Sequence, residues 1–339
     1  MKIYTFWNNK GGTGKTSLAF QTICHYAHKH PEQKILAVDM CPQANLSELL
    51  LGGLEGKGSQ HLMSRHGNTK RASIGGYFQD RLPEPYAVKQ IQPEDFITLV
   101  SKFNSNIPSN IHLICGDPIL ELQSNAVSTL ANTSIPGTDT WIKVINWVSD
   151  LLMSTKEEYD VVFLDTNPSF SIYTQMALAV TKFLILPTMA DDSSKRAIEN
   201  AFSLIYGFRL PHPIYADFAF SKRMQIAHKP LPMVHLIIKN RLTQYMGAAS
   251  AYSAVLETID SIVTSLQKNN QHIFSHTQTK DMLLDVRDFQ TTGVVAFARG
   301  CPFYALEGRS YSIQGRRINV RRDYLQNCIE AVDAIVAQL

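Results

Sequence analysis

Residues 10 to 16 read Lys10-Gly11-Gly12-Thr13-Gly14-Lys15-Thr16, after a short apolar run, Ile3 to Trp7, and before a helical pattern, Ser17 to His28. A glycine-rich segment between a strand and a helix is the context a phosphate-binding loop requires. Glycine carries no Cβ, so the backbone can curl tightly and turn successive N–H groups toward one anion. The start of the following helix adds partial positive charge on the same side. Lys15 brings a full charge to β- and γ-phosphates, and Thr16 brings a hydroxyl to Mg2+. The expected nucleotide cradle is therefore Gly11, Gly12, Thr13, Gly14, Lys15, Thr16 and Ser17, with ATP and Mg2+ as its ligands.

The ordinary loop pattern begins with glycine where this chain has Asn9, and a second lysine, Lys10, stands at the front. That is the deviant form, K-G-G-x-G-K-[ST]. Downstream, Lys34-Ile35-Leu36-Ala37-Val38-Asp39-Met40-Cys41-Pro42-Gln43-Ala44-Asn45 reads as a buried strand ending in a carboxylate. Tyr159-Asp160-Val161-Val162-Phe163-Leu164-Asp165-Thr166-Asn167-Pro168-Ser169 is a second such run. Its continuous apolar stretch suits a buried parallel strand that delivers Asp165 to a Mg2+ shell. Phe183 to Pro187 and Val234 to Arg241 read as further strands. Asn240, at the end of the last one, is either an adenine-reading amide or an ordinary turn residue.

Taken in this order, the motifs resemble the ParA/MinD group of deviant Walker ATPases, the ParA partition proteins above all. In that group the lysine matching Lys10 crosses a dimer interface to phosphates bound by the partner subunit. The resemblance implies a homodimer assembled around ATP, with Lys10, Lys15 and Asp39 catalytic and Thr16, Asp39 and Asp165 serving the metal. It also implies a ParB-like or other partner that stimulates hydrolysis. The family segment V-D-x-D-P-Q-x-N differs here at Cys41, which stands where a second aspartate positions attacking water. Slow hydrolysis is the expectation, or a rate that Cys41 leaves unchanged because the family is slow in any case. Asn167 likewise replaces the first proline of the family's Walker B segment.

The late segment from Asp285 to Pro302 resembles the ParA region implicated in non-specific DNA binding. Arg287 and Arg299 flank it, and Arg316, Arg317, Arg321 and Arg322 form a cluster before the last helix. Arginine suits phosphate by its planar fork. The other reading is a solvated arginine face or ion pairs to Asp285, Asp288 and Asp323. Net charge of +3 leaves the decision to these local clusters.

The 339 residues are 45% hydrophobic and 18% charged, enough for a large globular core. Five scattered cysteines without a C-x-x-C pair point to reduced thiols in a cytoplasm and away from a zinc or cluster site. That disfavours relatives of the nitrogenase iron-protein and arsenite-pump types. No apolar run reaches a membrane span, and the first strand begins at once, leaving no room for a signal peptide or an extra N-terminal DNA-binding module. The last helix, Asp323 to Leu339, carries apolar residues at helical spacing, with Glu330 and Asp333 on the polar face. It reads as packed on the core and not as a MinD-like membrane helix.

The fold expected is α/β, a doubly wound, mostly parallel sheet flanked by helices, in a single ParA-like domain over residues 1–339. Candidate core strands are 2–8, 34–39, 111–115, 160–165, 182–187 and 233–239. Elaborations are expected at about 52–110 and 208–232, with Gly52 to Arg71 read as a flexible polar loop. Two functions stay open: a DNA-partition or positioning ATPase, nucleoid-associated and free of membrane, or a deviant Walker ATPase that does not act on DNA.

Overall fold

The computed structural model describes residues 1–67, 69–189, 191–242 and 250–339. Among these, eight strands join one sheet: β1 Lys2–Phe6, β2 Ile35–Met40, β3 Ile97–Leu99, β4 Ile111–Ile114, β5 Val161–Thr166, β6 Phe183–Met189, β7 Met233–Leu242 and β8 Leu283–Arg287. Their order is β3-β4-β2-β5-β1-β6-β7-β8. Every pairing is parallel except β3 with β4. All six strands read from the sequence are present. β3 and β8 were missed: Ile97–Leu99 is only three residues long, and Leu283–Arg287, at the sheet edge, breaks its apolar run with Asp285 and Arg287.

The strand sequences explain the layering. In β2, Leu36, Val38 and Met40 face one core while Ile35 and Ala37 face the other. The side-chain period of two thus serves two apolar layers at once, as expected of a sheet covered by helices on both faces. The helix Lys15–Lys29 packs against the last helix, Arg322–Val336, in one of those layers. That last helix buries Leu325, Cys328, Val332, Ile335 and Val336. It lies on the core, and no helix among the described residues is long and apolar enough to cross a membrane.

The polar stretch after Gly52 is not an open loop. It folds into the helices Gly58–His66 and Ile74–Arg81. Its glycines are places of close backbone approach. A Cβ on Gly53 would lie 2.3 Å from the Phe297 carbonyl oxygen, and one on Gly300 would lie 2.5 Å from the Gly52 carbonyl carbon. The glycines therefore dock this segment onto residues 297–300, so their spacing records packing and not mobility.

Candidate nucleotide site

Strands β1, β2 and β5 lie side by side and end together, near where the chain turns from one half of the sheet to the other. Such a switch point is where open α/β sheets bind ligands. The loop after β1 closes on the helix Lys15–Lys29 through Gly14, whose φ is 81°. A side chain there would be strained, and a Cβ would sit 2.2 Å from the Asn240 amide nitrogen. Asn240 is buried and donates that amide N–H to the Thr13 carbonyl at 2.9 Å. One of its two amide N–H groups thus braces the loop.

Lys15 is 7% exposed and lies in the mouth of the loop. Its one hydrogen bond among the described residues goes to the Lys10 carbonyl, at 3.3 Å. Burial lowers its pKa, while Asp165 and Cys41 pull the other way. The ammonium has been taken out of water without a full counter-charge. Thr16 donates its hydroxyl to Asp165 Oδ2 at 2.7 Å. Asp165 Oδ1 is buried and has no hydrogen-bond partner among the described residues. Burial, then the neighbouring Asp39, raises the Asp165 pKa.

Asp39 lies opposite Asp165 in the β2–β5 register and is fully buried. Its Oδ1 accepts the Cys41 N–H at 3.1 Å, and its Oδ2 accepts the Ser47 N–H at 2.9 Å and the Ser47 hydroxyl at 2.7 Å. Burial raises its pKa, and the Ser47 and Cys41 hydrogen bonds hold it back. Both Asp39 oxygens are engaged in shaping the turn from Cys41 to Ser47. Cys41 lines the cleft, and burial, then Asp39 and Asp165, push its thiol up to about 12.

The cleft has a volume of about 480 Å³ and is bounded by Gly11, Gly12, Lys15, Thr16 and Ser17 with Asn167 and Arg241 among its other walls. The donor set fits a hydrated Mg2+ beside an oxyanion: a hydroxyl from Thr16, an unpartnered carboxylate oxygen from Asp165, and Lys15 for the anion. Lys10 does not point there. Its ammonium meets Asp191 Oδ1 at 2.6 Å and Oδ2 at 2.5 Å. Burial would raise the Asp191 pKa, but Lys10, Ser193 and Ser194 outweigh it and bring it down to about 2. Asp191, Ser47 and Arg241 were not found from the sequence, since each lies outside a motif and matters only through what it touches.

The arginines read as DNA contacts gather at the far edge of the chain. Arg287 ends β8, and Arg299 caps the helix Gln290–Ala298. Arg316 and Arg317 lie exposed in β10 Arg316–Asn319, which pairs with β9 Ser310–Ile313. Arg299 lies 5.4 Å from the Tyr311 ring centroid in that hairpin, and Arg309 lies 5.1 Å from it. Arg321 forks onto Asp323 at 2.5 Å, whereas Arg322 opens the last helix in solvent. Asp285 pairs with Lys239 and with none of these arginines. The ion-pair reading therefore holds at Arg321.

Comparison with known proteins gives one answer at three levels. The profile of an AAA-domain family matches residues 1–209. A virulence plasmid ParA family protein, pGP5-D of Chlamydia psittaci, is 26% identical over 186 residues, 55% of this chain and 56% of that protein. A plasmid partition protein of Borrelia burgdorferi bound to AMPPNP superposes with a TM-score of 0.56 at 15% identity, over 100% of this chain and 99% of its own. Apo McdA of Cyanothece gives 0.60 at 14% identity, over 99% of both chains. At such identities the superpositions speak for the fold, an eight-stranded, mostly parallel sheet with flanking helices. The family profile covers more than half of the chain, the deviant loop included, so this chain belongs to that AAA-domain family, and its likeness within it is to proteins of ParA type.

Proposed function

We propose that this chain binds ATP with Mg2+ at the Lys10–Ser17 loop, dimerises around the nucleotide, and works as a slow partition or positioning ATPase on non-specific DNA. The observation that carries the reading is the buried Oδ1 of Asp165, without a hydrogen-bond partner among the described residues, on the carboxylate that accepts the Thr16 hydroxyl. A buried carboxylate oxygen without a donor is costly unless a cation or water completes it. Solved relatives of the same fold hold AMPPNP, ATP, or an ATP analogue with magnesium.

Within this reading, Thr16 and Asp165 hold Mg2+, and the metal neutralises charge on the β- and γ-phosphates. Lys15 and the loop N–H groups, Gly11 to Ser17, hold the phosphates. Asp39 serves the metal by fixing the Cys41–Ser47 turn around it. Asn240 keeps the loop in shape next to the base. Lys10 leaves Asp191 when a second copy of the chain docks, and then reaches the partner's phosphates. Arg287, Arg299, Arg316, Arg317 and Arg322 present positive charge to DNA, and a ParB-like or other partner stimulates turnover. The protein works in the cytoplasm, on the nucleoid when bound to DNA.

The test is calorimetry of Mg-ATP on the wild type and Lys15→Ala. The wild type is expected to bind, and the variant to lose tight binding while keeping its fold. Equal affinity in both would show that the nucleotide does not sit on this loop.

A further inference from the structure

Strand β7 reaches the loop with one residue too many. Lys239 pairs with Asp285 of β8, but the next pairing joins Leu242 to Arg287, so three steps along β7 match two along β8. The extra residue makes a bulge at Asn240 and Arg241. Arg241 has φ 61°, a left-handed conformation that favours glycine. Bulges of this kind re-aim side chains and gather next to functional sites. Strained backbone at a non-glycine residue persists only where its surroundings hold it. The Asn240 bond to Thr13, at 2.9 Å, ties the bulge to the phosphate loop itself.

The bulge has a definite electrostatic consequence. In a regular strand, residues two apart share a face. Arg241 would then follow Lys239, whose ammonium lies 2.9 Å from both Asp260 and Asp285. Those two carboxylates would take the arginine as well. The extra residue turns Arg241 off that face and into the wall of the nucleotide cleft, beside Gly11, Gly12, Gly14, Lys15 and Thr16. Arg241 is exposed there and makes no ion pair among the described residues. Glu121 lines the same cleft without pairing to it.

We propose that Arg241 is a phosphate-binding residue, delivered by the β7 bulge to the di- or triphosphate of the bound nucleotide. This rests on the nucleotide reading above and adds to it a contact outside the loop motif. Arg241 shares the cleft with the loop residues, and its neighbour Asn240 is bonded to Thr13 of that loop, so its guanidinium can fork onto two phosphate oxygens held there.

The experiment is calorimetric titration of ATP, ADP and AMP, with Mg2+, into the wild type and into Arg241→Ala, Arg241→Gly and Arg241→Lys. Alanine and glycine are expected to weaken ATP by about tenfold, the worth of one charge-assisted hydrogen bond, and to leave AMP nearly unchanged. Lysine recovers part of the loss. Glycine relieves the left-handed backbone, so its melting temperature rises while its ATP affinity falls. That pairing separates a lost contact from a damaged fold. ATP affinity unchanged in Arg241→Gly, or a loss equally large for AMP, overturns the assignment to phosphate. A wild type that binds none of the three overturns the nucleotide reading itself, and this inference with it.

Discussion

Cys41 shows what a single side chain does to the site. Its thiol is held protonated by burial and by the two aspartates around it, at about 12. A neutral thiol offers water neither charge nor a strong acceptor. Positioning the nucleophile is a large part of phosphoryl transfer, and a lost positioning group costs about 10²-fold. Cys41→Asp is therefore expected to raise single-turnover hydrolysis several-fold or more. The same change adds a third carboxylate to Asp39 and Asp165, so the variant should melt lower than wild type until Mg-ATP is added. Unchanged turnover, with or without a stimulating partner, would mean that this position does not control the chemistry. Lys10 poses the opposite problem, since its ammonium is already occupied by Asp191. The pair is partly exposed, so its hold is about 1 kcal/mol or less. Both copies release that pair when the dimer forms, so Asp191→Asn should lower the concentration needed for the ATP-dependent dimer by at most about thirtyfold. Lys10→Ala should still bind ATP but fail to dimerise or to turn over. Gel filtration with ATP reads both, and a dimer that neither change affects would remove Lys10 from the interface.

Strand β7 serves both ends of the sheet. At one end its bulge faces the nucleotide cleft. Near the other, His235 is 6% exposed, with Nδ1 2.7 Å from the Ser275 hydroxyl and Nε2 2.7 Å from the Gln338 carbonyl. The carbonyl accepts, so Nε2 carries the proton and Nδ1 takes the hydroxyl's. Burial first, with His276 and Lys2 adding to it, lowers the His235 pKa to about 4. The unfolded chain, with an ordinary value of 6.5, binds the proton first as pH falls. Stability from this histidine is thus complete above about pH 6.5 and drains away toward pH 4, by up to about 3 kcal/mol. Urea unfolding of wild type and His235→Gln across that window checks the sign. The wild type should lose more stability on acidification than the variant, and parallel curves would show that His235 does not hold the end of the last helix to the sheet.

Across the whole molecule, the arginine edge and the nucleotide cleft are joined through the stretch 297–300, which packs on Gly52 and Gly53 just beyond the helix Asn45–Leu50 of the β2 segment. DNA binding is expected to need ATP and to fall by orders of magnitude between low and moderate salt if about six phosphates are neutralised. Arg316→Ala with Arg317→Ala should weaken all sequences alike. Arg321→Ala should matter less, because that guanidinium already forks onto Asp323. Filter binding to random-sequence DNA over a salt series reads all three. If no arginine on this edge changes affinity, DNA binds elsewhere or not at all.

The phosphate loop and the runs ending at Asp39 and Asp165 were legible because their information is local. Loop glycines, a lysine and an apolar strand must be adjacent in the chain to do their work. From them the parallel sheet and six of its eight strands followed. Gly52 to Arg71 misled for a physical reason: glycine marks a flexible loop and a close backbone contact with the same letter, and only the facing residues 297–300 tell them apart. Asp191 lies 181 residues from Lys10, and Asn240 lies 227 from Thr13. No spacing rule joins such positions. The chain alone settled which residues have the chemistry for a nucleotide, since charge, hydroxyl and missing Cβ are properties of residues. Which of them meet, and that one extra residue in β7 turns Arg241 away from Asp260 and Asp285 and toward the loop, was decided by strand register, which exists only once the sheet has formed.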